Sequence, residues 1–198
     1  MRLRWLSFVV AGATLAASAL TPTSAAFAGL GTVGTAAAKA PPRPRLGSPA
    51  NPLVLTCADE SFPGAPSSPV PQTPQSGDLV VGPLFIVEGK VLADAGPAGY
   101  GEHGRYKVPI IVKMGRTVTM TIAPPARGEV VIDNPYSPVG GVVSATYHSC
   151  ANEAGFFAQG FAFTDHRARG CVPLTVRIGR KPTAHRVTLS LFAGHCPS

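Results

Sequence analysis

Beyond residue 78 the apolar positions recur every second residue. Over Arg116–Ile122, Val118, Met120 and Ile122 share one face and three threonines the other. Tyr106, Val108, Ile110 and Val112 alternate in the same way, with Lys107 and Lys113 opposite. Val172, Leu174, Val176 and Ile178 form a third such row, and Val187, Leu189 and Leu191 a fourth, with Arg186, Thr188 and Ser190 outward. Period two combined with β-branched residues predicts half-buried antiparallel strands. Further strands are expected over 79–87, 129–132, 142–147 and 156–163, with a short first one over 53–57. Gly, Pro and Asn separate them at Met114-Gly115, Pro124-Pro125, Asn134-Pro135, Gly140-Gly141, 152–155 and 179–182. No capped stripe of helical period is present beyond the N-terminus. The pattern predicts an all-β fold, an antiparallel β-sandwich (immunoglobulin-like or related) of seven to nine strands. Pro109 and Pro173 interrupt two strands and predict an edge, a strand start or a bulge at each.

The first 28 residues break this pattern. Arg2 and Arg4 precede an uncharged apolar run from Trp5 to Leu20, and Ala26-Phe27-Ala28 follows as an A-x-A cleavage site. This is the layout of a secretory signal peptide, cleaved near Ala28, and the run is short for a membrane span. Residues 29–52, with Pro41, Pro42, Pro44, Pro49 and Pro52, read as a flexible Pro/Ala-rich linker ahead of a β-domain over 53–198. A second proline cluster over 63–74 reads as a surface loop. The expected location is extracellular, with no membrane span after cleavage and no covalent anchor.

Charge changes meaning once these ends are set aside. The 17 Lys+Arg against 10 Asp+Glu give +7. Arg2 and Arg4 leave with the leader, and Lys39, Arg43 and Arg45 belong to the linker, so the β-domain itself is close to neutral. What remains is asymmetric. Arg167, Arg169, Arg177, Arg180, Lys181 and Arg186 all follow the last acid, Asp165. Six cations without an acid can face an anionic surface: a cell-wall polymer, lipid heads or nucleic acid. They can also be the solvated charges of an ordinary hairpin. Aromatic residues do not interleave with them as base stacking requires, so nucleic acid is not the expected partner.

Four cysteines in an exported chain predict two disulfides. No C-x-x-C pair occurs, against a redox or structural-zinc motif. Of three connectivities, Cys150–Cys171 with Cys57–Cys196 gives a local staple and a terminal clasp, and is the favoured one. If 156–163 is a full-length strand, Cys150 and Cys171 fall at opposite ends of the sheet, and Cys171 meets Cys196 instead; a strand shortened at Gln159-Gly160 removes that objection.

Candidate chemistry is sparse. His103, His148, His166, His185 and His195 show no close metal-ligand spacing, and Asp165 beside His166 is the weak candidate pair. G-x-S-x-G, S-x-x-K and S-D-N are absent. Glu129 and Asp133 are the carboxylates with the best case for acting on one glycosidic bond, although Asp133-Asn134-Pro135 reads more simply as a turn. No catalytic residue, cofactor or metal is assigned. Phe156, Phe157, Phe161 and Phe163 read as core.

The run Gly160-Phe161 to Arg169-Gly170-Cys171-Val172-Pro173-Leu174-Thr175-Val176, with the Asp133-Asn134-Pro135 turn and the preceding Cys150, resembles a group of small secreted actinobacterial proteins. The resemblance covers about residues 55 to 196 and implies a β-sandwich with an export signal and disulfides. It brings no catalytic residues with it. The expected function is therefore a secreted, monomeric, non-catalytic binding or structural protein of the cell envelope. Its expected partner is an anionic wall polymer or another secreted protein. A hydrolase acting on wall polymer or sugar and a sandwich binding metal through dispersed histidines are the alternatives.

Overall fold

The computed structural model describes residues 45–59, 70–181 and 183–197. The predicted leader over 1–28 and most of the predicted linker over 29–52 lie outside the described residues. Thirteen strands follow in order: β1 (Leu53–Leu55), β2 (Leu79–Val81), β3 (Leu84–Ile86), β4 (Gly101–Glu102), β5 (Arg105–Lys107), β6 (Ile110–Val112) and β7 (Thr117–Ile122). After these come β8 (Val130–Asp133), β9 (Ser144–His148), β10 (Gly155–Phe157), β11 (Gly160–Phe163), β12 (Gly170–Ile178) and β13 (Ala184–Leu191). Short 3-10 turns at Cys57–Asp59 and Pro124–Ala126 are the helical elements among the described residues. The all-β expectation holds.

Among the described residues thirteen strands replace the expected seven to nine because three predicted strands each break in two and the two-residue β4, which alternation did not mark, adds another. Gly82-Pro83 splits 79–87 into β2 and β3, Val108-Pro109 separates β5 from β6, and Ala158-Gln159 separates β10 from β11. The first break is a hairpin, since β2 and β3 pair antiparallel. The other two are bends in one ribbon. Phe157 pairs with Ile110 and Gly160 with Lys107 in a single unbroken register, and the Val108 N–H donates to Gln159 O (2.9 Å) between them. The two four-stranded sheets, β10-β6-β3-β2 and β4-β5-β11-β8, are thus joined through this ribbon. A strand bent through a proline or a small residue can pass from one sheet to the next, as at the corners of orthogonally packed sheets.

The five-stranded sheet, β1-β9-β7-β12-β13, supplies the other side of the core. Val118, Met120 and Ile122 of β7 are buried, as alternation predicts, together with Val172, Leu174, Val176, Leu189 and Leu191. They belong to one apolar cluster with Ile86, Ile110, Ile132, Phe157, Phe161 and Phe163 from the four-stranded sheets. A smaller cluster of Phe85, Ile111 and Ala154, flanked by Val70 and Phe156, explains why β3 and β6 are buried on both faces. Pro109 stands at a strand start, directly before β6. Pro173 lies inside β12, and the Ala123 N–H donates to Pro173 O (2.8 Å) where the β7 ladder has already ended at Ile122. In an antiparallel strand a residue's N and O point to the same side, so the missing N–H of Pro173 also falls beyond that ladder.

The disulfides are Cys57–Cys150 and Cys171–Cys196, with Cα atoms 4.9 and 5.8 Å apart. The favoured pairing is thereby corrected. β1 runs parallel to β9, with Leu55 opposite Tyr147, so Cys57 and Cys150 both emerge just past the same strand ends. β9 and β12 are each antiparallel to β7, which puts Cys150 and Cys171 at opposite ends of the sheet. Cys171 opens β12 opposite Ser190, near the end of β13, and Cys196 returns to it. Residues 45–52, the described part of the predicted linker, also lie on this sheet. The Val143 and Ser144 N–H groups donate to Gly47 O (3.0 and 2.8 Å), and a Cβ at Gly47 would lie 2.3 Å from Val142 Cγ1.

One polar link crosses the core. The fully buried Tyr147 hydroxyl donates to Gln159 Oε1, and Gln159 Nε2 has no partner among the described residues. Tyr147→Phe strips the remaining partner from a buried amide and is expected to cost about 1–3 kcal/mol in denaturant titration. Burial also pushes the Tyr147 phenol well above its ordinary pKa. The unfolded chain ionises this group near pH 10, so its contribution is intact below that pH and is lost as pH rises. Tyr147→Phe is therefore also expected to flatten the alkaline fall in stability; an unchanged slope would remove Tyr147 as its source.

Candidate functional site

β12 is nine residues long, and its length separates the basic residues that sequence brings together. Arg169 precedes its first residue and Arg180 follows its last, so roughly 27 Å of strand lies between them at about 3.4 Å per residue. At the Arg169 end the neighbouring guanidinium is neutralised. Arg167 donates to Glu129 Oε2 (2.9 Å) and Asp165 Oδ2 (3.3 Å), and lies over the Phe163 ring at 4.6 Å. Arg105 of β5 reaches Asp133 of β8 (2.6 Å) past the small residues Gly160 and Ala162 of β11.

These pairs settle the geometry of the candidate carboxylates. Glu129 directly precedes β8 and Asp133 ends it. Four residues of strand, about 13 Å, separate their Cα atoms, and each carboxylate is held by a different arginine. Asp165 is a partner of Arg167. His166, at φ 59°, has its Nδ1 3.2 Å from His103 O and borders a depression of about 240 Å³ with Arg105, Asp133, Phe163 and Thr164. Of the other histidines, His148 Nδ1 is 2.9 Å from Thr117 Oγ1, and His185 and His195 are exposed. Among the described residues no three His, Cys, Asp or Glu side chains gather as a metal-binding group. Tyr100 is held above its ordinary pKa chiefly by the hydrogen bond it donates to Glu88 (2.7 Å), with burial and the carboxylate charge adding.

The far end of the five-stranded sheet is different. There β7 begins, β12 ends and β13 begins, and three loops meet. The Gly179 N–H donates to Thr117 O (2.8 Å), pinning the β12–β13 turn, which carries Arg180 and Lys181, beside the turn that carries Lys113 and Arg116. The latter turn is pinned as well. The Lys113 N–H donates to Pro83 O (3.0 Å) and the Gly115 N–H to Cys150 O (2.7 Å). Ser149 Oγ donates to Lys113 O (2.6 Å) and accepts from the Arg116 N–H (3.0 Å). Arg177 and Arg186 extend this end on the outer sheet face. Arg177 is opposite Ala184 and Arg186 opposite Thr175, which makes the two arginines diagonal neighbours, about 7–8 Å apart.

Among the described residues Lys113, Arg116, Arg177, Arg180, Lys181 and Arg186 make no ion pair, and all are exposed. Among the described residues Asp59 and Glu153 are the carboxylates closest in sequence to the disulfide at this end, and Asp59 is bound to Thr56. Four of the six predicted basic residues thus come together. Arg167 and Arg169 lie elsewhere, and Lys113 and Arg116 join from the Met114-Gly115 turn, whose cations the sequence reading did not group with the others. The signal for them was the adjacency of β7 to β12, which puts the turn before β7 beside the turn after β12.

No protein-family model matches the chain, and neither does a curated protein or a solved structure. Among the described residues no helix is long and apolar enough to cross a membrane.

Proposed function

We propose that the protein is an exported, non-catalytic binding protein of the cell envelope that docks on an anionic polymer through the end of its β7–β12–β13 sheet. The leader-like N-terminus supports export, and two disulfides fit an oxidising compartment. The observation that carries the docking is the contrast between the two ends of β12. Arg167 at one end is internally neutralised and leaves Arg169 as a single exposed cation there, while six cations at the other are exposed and unpaired among the described residues. Unpaired cations on a rigid sheet end lose little side-chain and backbone freedom beyond their own rotamers when a polyanion arrives. Such attraction is screened by salt over about 8 Å at physiological ionic strength.

Retention of the exported chain on immobilised anionic wall polymer is therefore expected to fall steeply with salt. Arg177→Glu with Arg186→Glu is expected to weaken it at least tenfold at low salt while leaving the unfolding midpoint in place, since both side chains are exposed. Retention that ignores both salt and this double reversal would defeat the reading.

A further inference from the structure

Between the β2–β3 turn and the turn that carries Lys113 and Arg116, at the end of β12, the surface opens into a cleft of about 230 Å³, lined by Gly82, Pro83, Lys113, Arg116 and Ile178. We infer that this cleft seats one phosphodiester unit of a polyol-phosphate polymer; the inference rests on the docking function above and names its ligand chemistry.

Size is the first argument. Clefts that enclose a whole drug-sized ligand run to about 300–1,000 Å³. This one is smaller, which suits one repeat of a longer chain. Its floor is built rather than incidental. Gly82 has φ +59°, and a Cβ there would come within 2.6 Å of Ile178 Cδ1, so a larger residue would meet the cleft wall. The Lys113 ammonium is steadied over an aromatic face, with Nζ 5.5 Å from the centre of the buried Phe85 ring.

Chemistry is the second argument. Arg116 offers a planar fork and Lys113 a point charge, and neither is ion-paired among the described residues. A phosphodiester presents two non-bridging oxygens that share one charge, the geometry an arginine fork accepts, with a lysine supplying further charge. Pro83 and Ile178 make the remaining walls apolar. The methylene groups on both sides of a phosphodiester can lie against such walls, whereas a uronic acid brings its carboxylate on a hydroxylated ring. Arg180 and Lys181, in the adjoining turn, are placed for the next charge along the chain. Repeated weak contacts of this kind combine into usable affinity when they lie on one polymer.

The test compares binding of the full exported chain to poly(glycerol phosphate), to polygalacturonate and to phosphatidylglycerol vesicles. Lys113→Gln with Arg116→Gln replaces two exposed side chains and is expected to keep the wild-type unfolding midpoint. The expected result is a loss of at least tenfold toward poly(glycerol phosphate), a change of less than about threefold toward polygalacturonate, and no preference for vesicles over the polymer. Equal losses toward both polymers, or no loss toward either, would overturn the phosphodiester seat and leave the docking function standing. Binding to vesicles but not to poly(glycerol phosphate) would overturn the polymer as its source. Wild-type protein that binds neither polymer nor vesicles would overturn the docking function and the seat together.

Discussion

Replacing Cys57 and Cys150 by serine is expected to lower the unfolding free energy by about 5 kcal/mol, and replacing Cys171 and Cys196 by about 3.5 kcal/mol, on the chain-entropy estimate for their loop lengths. The first bridge spans 93 positions and the second 25, and the longer loop constrains the unfolded chain more. The first also has more to hold in the folded state. β1 is three residues long and is tied to the sheet by its parallel pairing with β9. A short edge strand frays readily, so opening the Cys57–Cys150 bridge should release β1 from the sheet in the native state as well. β12 and β13, by contrast, pair over eight positions without help. Denaturant titration of the two double variants checks the order, and hydrogen exchange along β1 checks the cause. Peptide mapping under non-reducing conditions should recover the two bridges as stated. A larger loss from the Cys171/Cys196 variant would show that the hairpin, not β1, depends on its staple.

How much of this was legible from sequence depends on the range over which each feature is determined. Alternation is local, and it located β7, β12 and β13 with the correct buried face, because a period-two pattern depends only on which side of the sheet meets the core. The bends at Pro109 and Gln159 were half legible. Proline marked one and Gln159-Gly160 a shortening of the other, but neither residue fixes the bend there, which follows from the partner strand. The parallel pairing of Leu53–Leu55 with Ala145–Tyr147 was not legible, because it joins segments some ninety residues apart and leaves no periodic trace. The disulfide assignment failed on that one step. The cationic end failed differently. Sequence grouped six cations by adjacency, and the strand between them carried two away, while a neighbouring strand brought in Lys113 and Arg116. A charge run is a property of the chain, whereas a charge patch is a property of which strand ends coincide.

Gly160→Ala is expected to destabilise the protein by more than the roughly 1–3 kcal/mol of ordinary overpacking. Gly160 sits in β11 between β5 and β8, opposite Lys107 and Asp133. A Cβ there would lie 1.8 Å from Tyr106 O and 2.8 Å from Tyr106 C. Both atoms are backbone of β5, so no side-chain rotation relieves the clash. Relief requires β5 to move away from β11, which opens the ribbon beside its bend and loosens Tyr106 and Phe161, both in the core. For a domain of about 150 residues, each kcal/mol moves the midpoint by about 2–4 °C, so a drop of roughly 10 °C is the expected reading. Gly96→Ala is the control. A Cβ at Gly96 meets nothing within 4 Å, and the change should fall within about 0.5 kcal/mol. The variant also separates stability from docking. Lys113, Arg116, Arg177, Arg180, Lys181 and Arg186 are carried by strands and turns that make no register contact with Gly160. The folded fraction of Gly160→Ala should therefore keep its salt-sensitive retention at temperatures below its midpoint. Loss of retention while the protein remains folded would mean that the bent ribbon, and not the β7–β12–β13 end alone, shapes the docking surface.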